Sequence, residues 1–174
     1  MYKRQRLPRV LGVEAALNLI LSGEAVLAEA VARLPGQKLL DLLVSDPQQL
    51  RDAAVSFARS VAADRPLPQV RRLPAGHPQG AAFFQFARNT ARAMAPHVPA
   101  PLACVDAVEA ATTRPFEAGL AYERERFMGL MYTPVSRALR HVFLAERGTA
   151  RIADVPDDTP VSYTHLRAHE TKAN

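Results

Sequence analysis

Arg6-Leu7-Pro8-Arg9-Val10-Leu11-Gly12-Val13-Glu14-Ala15-Ala16-Leu17-Asn18-Leu19-Ile20-Leu21-Ser22-Gly23-Glu24 shows the helical pattern of this chain most plainly. Val13, Leu17, Ile20 and Leu21 recur at the three-to-four-residue spacing of one helix face, which predicts a helix from Gly12 to Ser22. Gly23 sits where a left-handed C-terminal cap belongs. Nothing in the stretch alternates with the period of two that a half-buried strand requires.

The same periodicity extends outward from this helix. Ala25 to Leu34 reads as a second helix stopped by Pro35-Gly36, and Leu39-Leu40-Leu42-Leu43 as a helical turn or a buried strand. Ser45-Asp46-Pro47 is a helix start, with an oxygen to accept a free N–H and Pro in the first turn. Leu50, Ala54, Phe57, Ala58 and Val61 then form one apolar stripe. Residues 64–80 carry four prolines and two glycines and read as a linker or surface excursion. Helix returns from Ala81 to Met94 with Phe83, Ala87, Ala91 and Met94 on one face, and again from Pro101 to about Ala111. The longest helix is expected from Pro115 to about Met131, with Phe116, Leu120, Phe127 and Met131 inward and Glu123, Arg124, Glu125 and Arg126 solvated. A last helix starts at Thr133-Pro134, turns Val135, Leu139, Val142 and Phe143 inward, and ends at Gly148. The fold class is therefore mostly α. The alternative on the residues alone is that these helices form the outer layer of a mixed domain.

Both ends read differently from the rest. Val161 to Thr171 resembles a translated sequencing-library adapter, and Tyr2-Lys3-Arg4-Gln5 can be encoded by the opposite strand of the same DNA element. Residues 1–5 and 161–174 are accordingly set aside as scars, as a tag would be. Lys3 and Arg4 carry two of the five net positive charges and 161–174 one more, leaving +2 for 6–160. The remaining basic residues are interspersed with acids, apart from Arg71-Arg72, so a nucleic-acid interface is not indicated.

Chemistry-bearing motifs are missing from this stretch. No Gly-x-Gly-x-x-Gly turn, phosphate-binding Gly-rich loop, Gly-x-Ser-x-Gly elbow or His-Glu-x-x-His pair occurs. Cys104 is the single cysteine, so it reads as a small buried hydrophobe in a reducing compartment. His77, His97 and His141 have no ligand-like partners, and the His165/His169 pair lies in the C-terminal scar. Glu123 and Glu125 project about 200° apart around a helix and cannot share a substrate. They read as surface charge. No metal site is expected. No apolar run approaches the roughly 20 residues that span a bilayer.

The opening stretch resembles the segment following the catalytic core in the enoyl-CoA hydratase (crotonase) superfamily, where an R-L-x-R-x-x-G lead-in precedes an apolar helix ending in a Ser/Thr-Gly-acidic turn. Pro99 to Ala111 is similar to a downstream helix of that family, and Phe116 through Arg147 to its C-terminal helices. Two features resemble multifunctional β-oxidation enzymes: the insertion from Pro66 to Gly80, and Asp154 to Pro160, which looks like the linker to a 3-hydroxyacyl-CoA dehydrogenase domain. One departure stands out: the family's usual Glu-Ala-x-x-x-Gly-Leu-Val appears here as Glu29-Ala30-Val31-Ala32-Arg33-Leu34-Pro35-Gly36.

The resemblance makes the chain the helical C-terminal part of a truncated crotonase-type α/β domain, with hydratase-domain parts at 6–63 and 81–152, the Pro-rich insertion at 64–80, and a linker at 153–160 towards a dehydrogenase domain outside the chain. It implies a parent that hydrates 2-enoyl-CoA to 3-hydroxyacyl-CoA and oxidises the product with NAD, the NAD belonging to that dehydrogenase domain. The segment would be inactive alone, with no catalytic residue. The resemblance further implies that Phe143 lies near the CoA adenine and Arg147 near CoA phosphates, making them the candidate substrate-binding residues. Implied partners are acyl-CoA, the rest of the parent in cis and a thiolase, in bacterial cytoplasm. A monofunctional enoyl-CoA hydratase or isomerase, and a small helical interaction or nucleic-acid-binding protein, remain open alternatives.

Overall fold

A computed structural model describes residues 3–149, and all regular structure among them is helical. The helices are α1 (Lys3–Leu11), α2 (Val13–Ser22), α3 (Ala28–Ala32), α4 (Leu50–Ser60), α5 (Ala81–Met94), α6 (Ala100–Thr113), α7 (Phe116–Met131) and α8 (Pro134–Thr149). Short 3-10 turns occur at Pro47–Gln49 and Val70–Arg72. One compact unit ends at Tyr132 and a second begins at Thr133.

Within the first unit α6 is the central helix, packed against α1, α2, α5 and α7. Its sequence explains that position. Cys104, Val105, Ala107, Val108, Ala110 and Ala111 are all buried, so the helix is apolar nearly all round and its small residues let neighbours approach closely. The main core joins Val105 and Val108 of α6 to Val13 and Leu17 of α2 and to Phe84, Ala87 and Ala91 of α5. A second cluster joins Val10 and Leu11 of α1 to Val31 of α3, with Leu40, Val70 and Leu73 packed against it.

Several expectations are met. Gly23 has φ +66 and its N–H donates to Leu19 O, as the left-handed cap requires. Asp46 Oδ1 accepts from the Gln48 N–H at 2.9 Å, with Pro47 following. The bounds of α5 match the expected ones.

Other expectations need correction. The helix expected over Ala25 to Leu34 is only α3, because Leu27 is extended and regular hydrogen bonding begins at Ala28. The Leu39–Leu43 run is neither helix nor strand. The α4 stripe exists as a pattern, but no residue of α4 is buried. On α5 the fully buried aromatic is Phe84, while Phe83 packs against the same core only partly buried, and Met94 is exposed. On α7 the expected inward residues are only half-buried, while Gly119 and Glu123 are buried instead.

The residues set aside at the N-terminus also belong to the fold. Lys3, Arg4 and Gln5 begin α1, and Gln5 is fully buried, its Nε2 donating to Ala107 O at 2.7 Å. Pro8 lies inside α1, where it cannot donate to the preceding turn. In the second unit the Thr133 hydroxyl caps α8 by accepting from the Ser136 N–H at 3.2 Å, and Gly148 lies within the helix rather than ending it. The expected linker at 153–160 and the C-terminal scar at 161–174 lie outside the described residues.

Candidate functional site

Three arrangements carry side chains capable of recognition. The first is a cleft of about 680 Å³ in the first unit. Its walls are the α1–α2 corner at Leu11, Gly12 and Val13, the α3 face at Ala30 and Val31, and the loop around His77. The corner depends on Gly12, whose φ of +82 lets the chain leave α1 and re-enter a helix one residue later. His77 is held from two sides: its ring stacks on Phe83 at 3.9 Å between centroids, and its Nδ1 accepts from the Gln79 N–H. Its Nε2 lies 4.0 Å from Glu14 Oε2. That separation exceeds a hydrogen bond.

The second arrangement is polar and buried. Glu123, read from the sequence as solvated, is 1% exposed. Its partner is Arg4, whose Nη1 lies 3.3 Å from Glu123 Oε1 and whose Nε lies 3.1 Å from Cys104 Sγ. Burial disfavours the Arg4 charge, but Cys104 and Glu123 outweigh it and hold its pKa above the usual value. Cys104 is buried, as expected. Arg9 donates to the backbone carbonyls of Gln5, Leu73 and Ala111 and lies 5.3 Å from the Phe116 ring centroid. Burial pushes its pKa down. These groups bind α1 to α6, α7 and the Val70–Arg72 turn. They are structural, and the sequence hid them because Arg4 and Glu123 are 119 positions apart.

The third arrangement contains the two candidate substrate-binding residues. Phe143 and Arg147 stand one turn apart on α8, both exposed, with the guanidinium carbon 4.9 Å from the ring centroid. Helical spacing brings them together and the cation–π attraction keeps them so. Phe143 is not buried with Leu139 and Val142 as the inward face implied; all three are at least half exposed. The ring offers a stacking face and the guanidinium offers donors for a phosphate.

No group of three or more His, Cys, Asp or Glu side chains that could hold a metal occurs among the described residues. His97 and His141 are exposed, and His165 and His169 lie outside the described residues. Glu125 is exposed, so the Glu123/Glu125 pair shares no site. No described helix is long and apolar enough to cross a membrane.

The chain is similar to parts of several larger proteins. It is 40% identical to the peroxisomal bifunctional enzyme of Homo sapiens over 148 residues, which is 82% of this chain and 19% of that protein. It is 30% identical to the glyoxysomal fatty acid beta-oxidation multifunctional protein MFP-a of Cucumis sativus over 158 residues, 88% of this chain and 21% of that protein. It is 34% identical to the fatty acid oxidation complex subunit alpha of Shewanella amazonensis over 146 residues, 81% of this chain and 20% of that protein. No protein-family model matches. The chain thus spans about a fifth of the length of the curated relatives it matches. Its similarity is therefore to one segment of larger proteins named as bifunctional, as multifunctional or as part of a fatty acid oxidation complex.

Proposed function

We propose that this chain is a segment of a β-oxidation enzyme whose parent hydrates 2-enoyl-CoA to 3-hydroxyacyl-CoA and then oxidises that product with NAD. The observation that supports the reading is the 30–40% identity, over more than four-fifths of the chain, to a bifunctional enzyme, a fatty acid beta-oxidation multifunctional protein and a fatty acid oxidation complex subunit. NAD belongs to a dehydrogenase domain outside this segment.

In this reading α8 contributes Phe143 and Arg147 to CoA recognition, the ring stacking on adenine and the guanidinium meeting phosphate. The neighbours in cis are the remaining hydratase core and the dehydrogenase domain, with a thiolase as a further partner. A bacterial cytoplasmic source fits the Ala- and Arg-rich composition and the Shewanella relative; the Homo sapiens relative is named peroxisomal.

Two assays test the reading. The purified 174-residue chain mixed with crotonyl-CoA should consume no enoyl-CoA above a buffer control; turnover would overturn the assignment of an inactive segment. In the parent enzyme, Phe143→Ala and Arg147→Ala should each raise KM for crotonyl-CoA about tenfold while kcat stays within about twofold. An unchanged KM for both would remove α8 from CoA recognition.

A further inference from the structure

The cleft between the α1–α2 corner, α3 and the His77 loop is given no role in the proposed function. We infer that it is a binding site for an uncharged aliphatic carbonyl compound, with the alkyl chain against Val13, Val31 and Leu34 and the carbonyl oxygen at His77 Nε2.

Four observations select that ligand. The volume of about 680 Å³ falls within the roughly 300–1,000 Å³ usual for small-molecule sites. The lining is mostly aliphatic, so the larger part of the ligand must be apolar. Because Nδ1 accepts from the Gln79 N–H at 3.2 Å, the neutral ring carries its proton on Nε2, which is therefore a donor in the cleft wall. Glu14 lies 4.0 Å from that donor, beyond hydrogen-bond reach, so the donor is left for an acceptor from outside.

The same carboxylate sets the charge of the ligand. A fatty-acid carboxylate placed at Nε2 would face the like charge of Glu14, whereas a neutral ester or ketone accepts the hydrogen bond without that repulsion. The imidazole cannot turn away easily, since stacking on Phe83 fixes its plane. At Gly12 a Cβ would meet nothing within 4 Å, so it is the backbone turn and not crowding that demands glycine there.

The test is NMR titration of the 174-residue chain with methyl octanoate, with octanoate as the charged comparison. Saturable shifts at the Val13, Val31 and Leu34 methyls are expected, with the ester binding at least about threefold more tightly than the carboxylate. Ala30→Trp places an indole in the cleft from the exposed face of α3 and should abolish the shifts. His77→Phe keeps an aromatic ring to stack on Phe83 but removes the donor, and should weaken ester binding about threefold to tenfold. Phe57→Ser on the exposed α4 face should change nothing. No saturable shift, equal affinity for octanoate, or binding that survives Ala30→Trp would overturn the proposal; so would loss of binding in Phe57→Ser, which would mark non-specific apolar association. None of these outcomes bears on hydration by the parent, so the site and the proposed function stand or fall separately.

Discussion

Helices α6 and α4 both carry apolar residues, yet α6 buries six side chains and α4 buries none. The difference is one of partners. Small apolar residues ring α6, so four helices can settle on it and each Val or Ala loses its water. On α4 the apolar residues form a single stripe, and Leu50, Val55 and Phe57 remain more than a third exposed. Helical periodicity therefore states which face is apolar, while burial depends on what the rest of the molecule brings to it. A stripe such as that of α4 is a surface in this chain, whatever covers it in a longer protein.

Truncation should break or sharpen this contrast most visibly at two phenylalanines. Phe84 is 2% exposed against α6, and Phe57 is 37% exposed on α4. Phe84→Ala should cost about 3–5 kcal/mol in urea denaturation, and Phe57→Ala no more than about 0.5 kcal/mol. Equal losses would mean that α4 is packed in solution and the contrast is wrong.

A smaller effect is expected where α7 meets α1. A Cβ on Gly119 would lie 2.1 Å from Gln5 Oε1, and Gln5 is fixed by its bond to Ala107 O. Gly119→Ala should destabilise by about 1–2 kcal/mol, even though alanine favours a helix by about 1 kcal/mol over glycine. Adding Gln5→Ala should recover part of that loss, since the clash then has no second member. Simple additivity of the two losses would remove the contact.

The smallest effect is expected at Arg88, which joins α5 to α6 through Asp106 and Glu109. Arg88→Ala should cost about 1 kcal/mol, because the cluster is partly open to water. Burial opposes the Arg88 charge, but its bonds to Asp106 and Glu109 outweigh that and hold its pKa above arginine's usual value. A raised pKa gives stability that is present below the unfolded value and lost only as pH climbs through the folded one. Deprotonation of Arg88 should therefore remove none of this difference between about pH 6 and pH 10. A difference that vanished at pH 10 would contradict the assignment.

What the sequence made legible follows the same division. The cap at Gly23, the start at Asp46-Pro47 and the bounds of α5 rest on neighbouring residues, and each is found as expected. The inward face of α5 was displaced by one residue because Phe83 and Phe84 fit Ala87 and Ala91 equally well by spacing. Only the stack of Phe83 on His77, from another segment, separates them. Pro8 concealed α1, and the Arg4–Glu123 pair was invisible to any local pattern. The pairing of Phe143 with Arg147 is local and could have been read from their spacing of four; its exposure could not.

Arg4 and Gln5 bear most directly on the account as a whole. Residues set aside as a non-native end prove to be bonded to Glu123, Cys104 and Ala107, so they take part in the fold of the first unit. The decisive measurement is long-read sequencing of the source DNA across codons 5 and 161. The account predicts one open frame that runs upstream into a glutamate-bearing hydratase core and downstream into a strand followed by Gly-x-Gly-x-x-Gly. A genuine start at Met1 and a stop after Asn174 would contradict it and return a small helical binding protein as the working description.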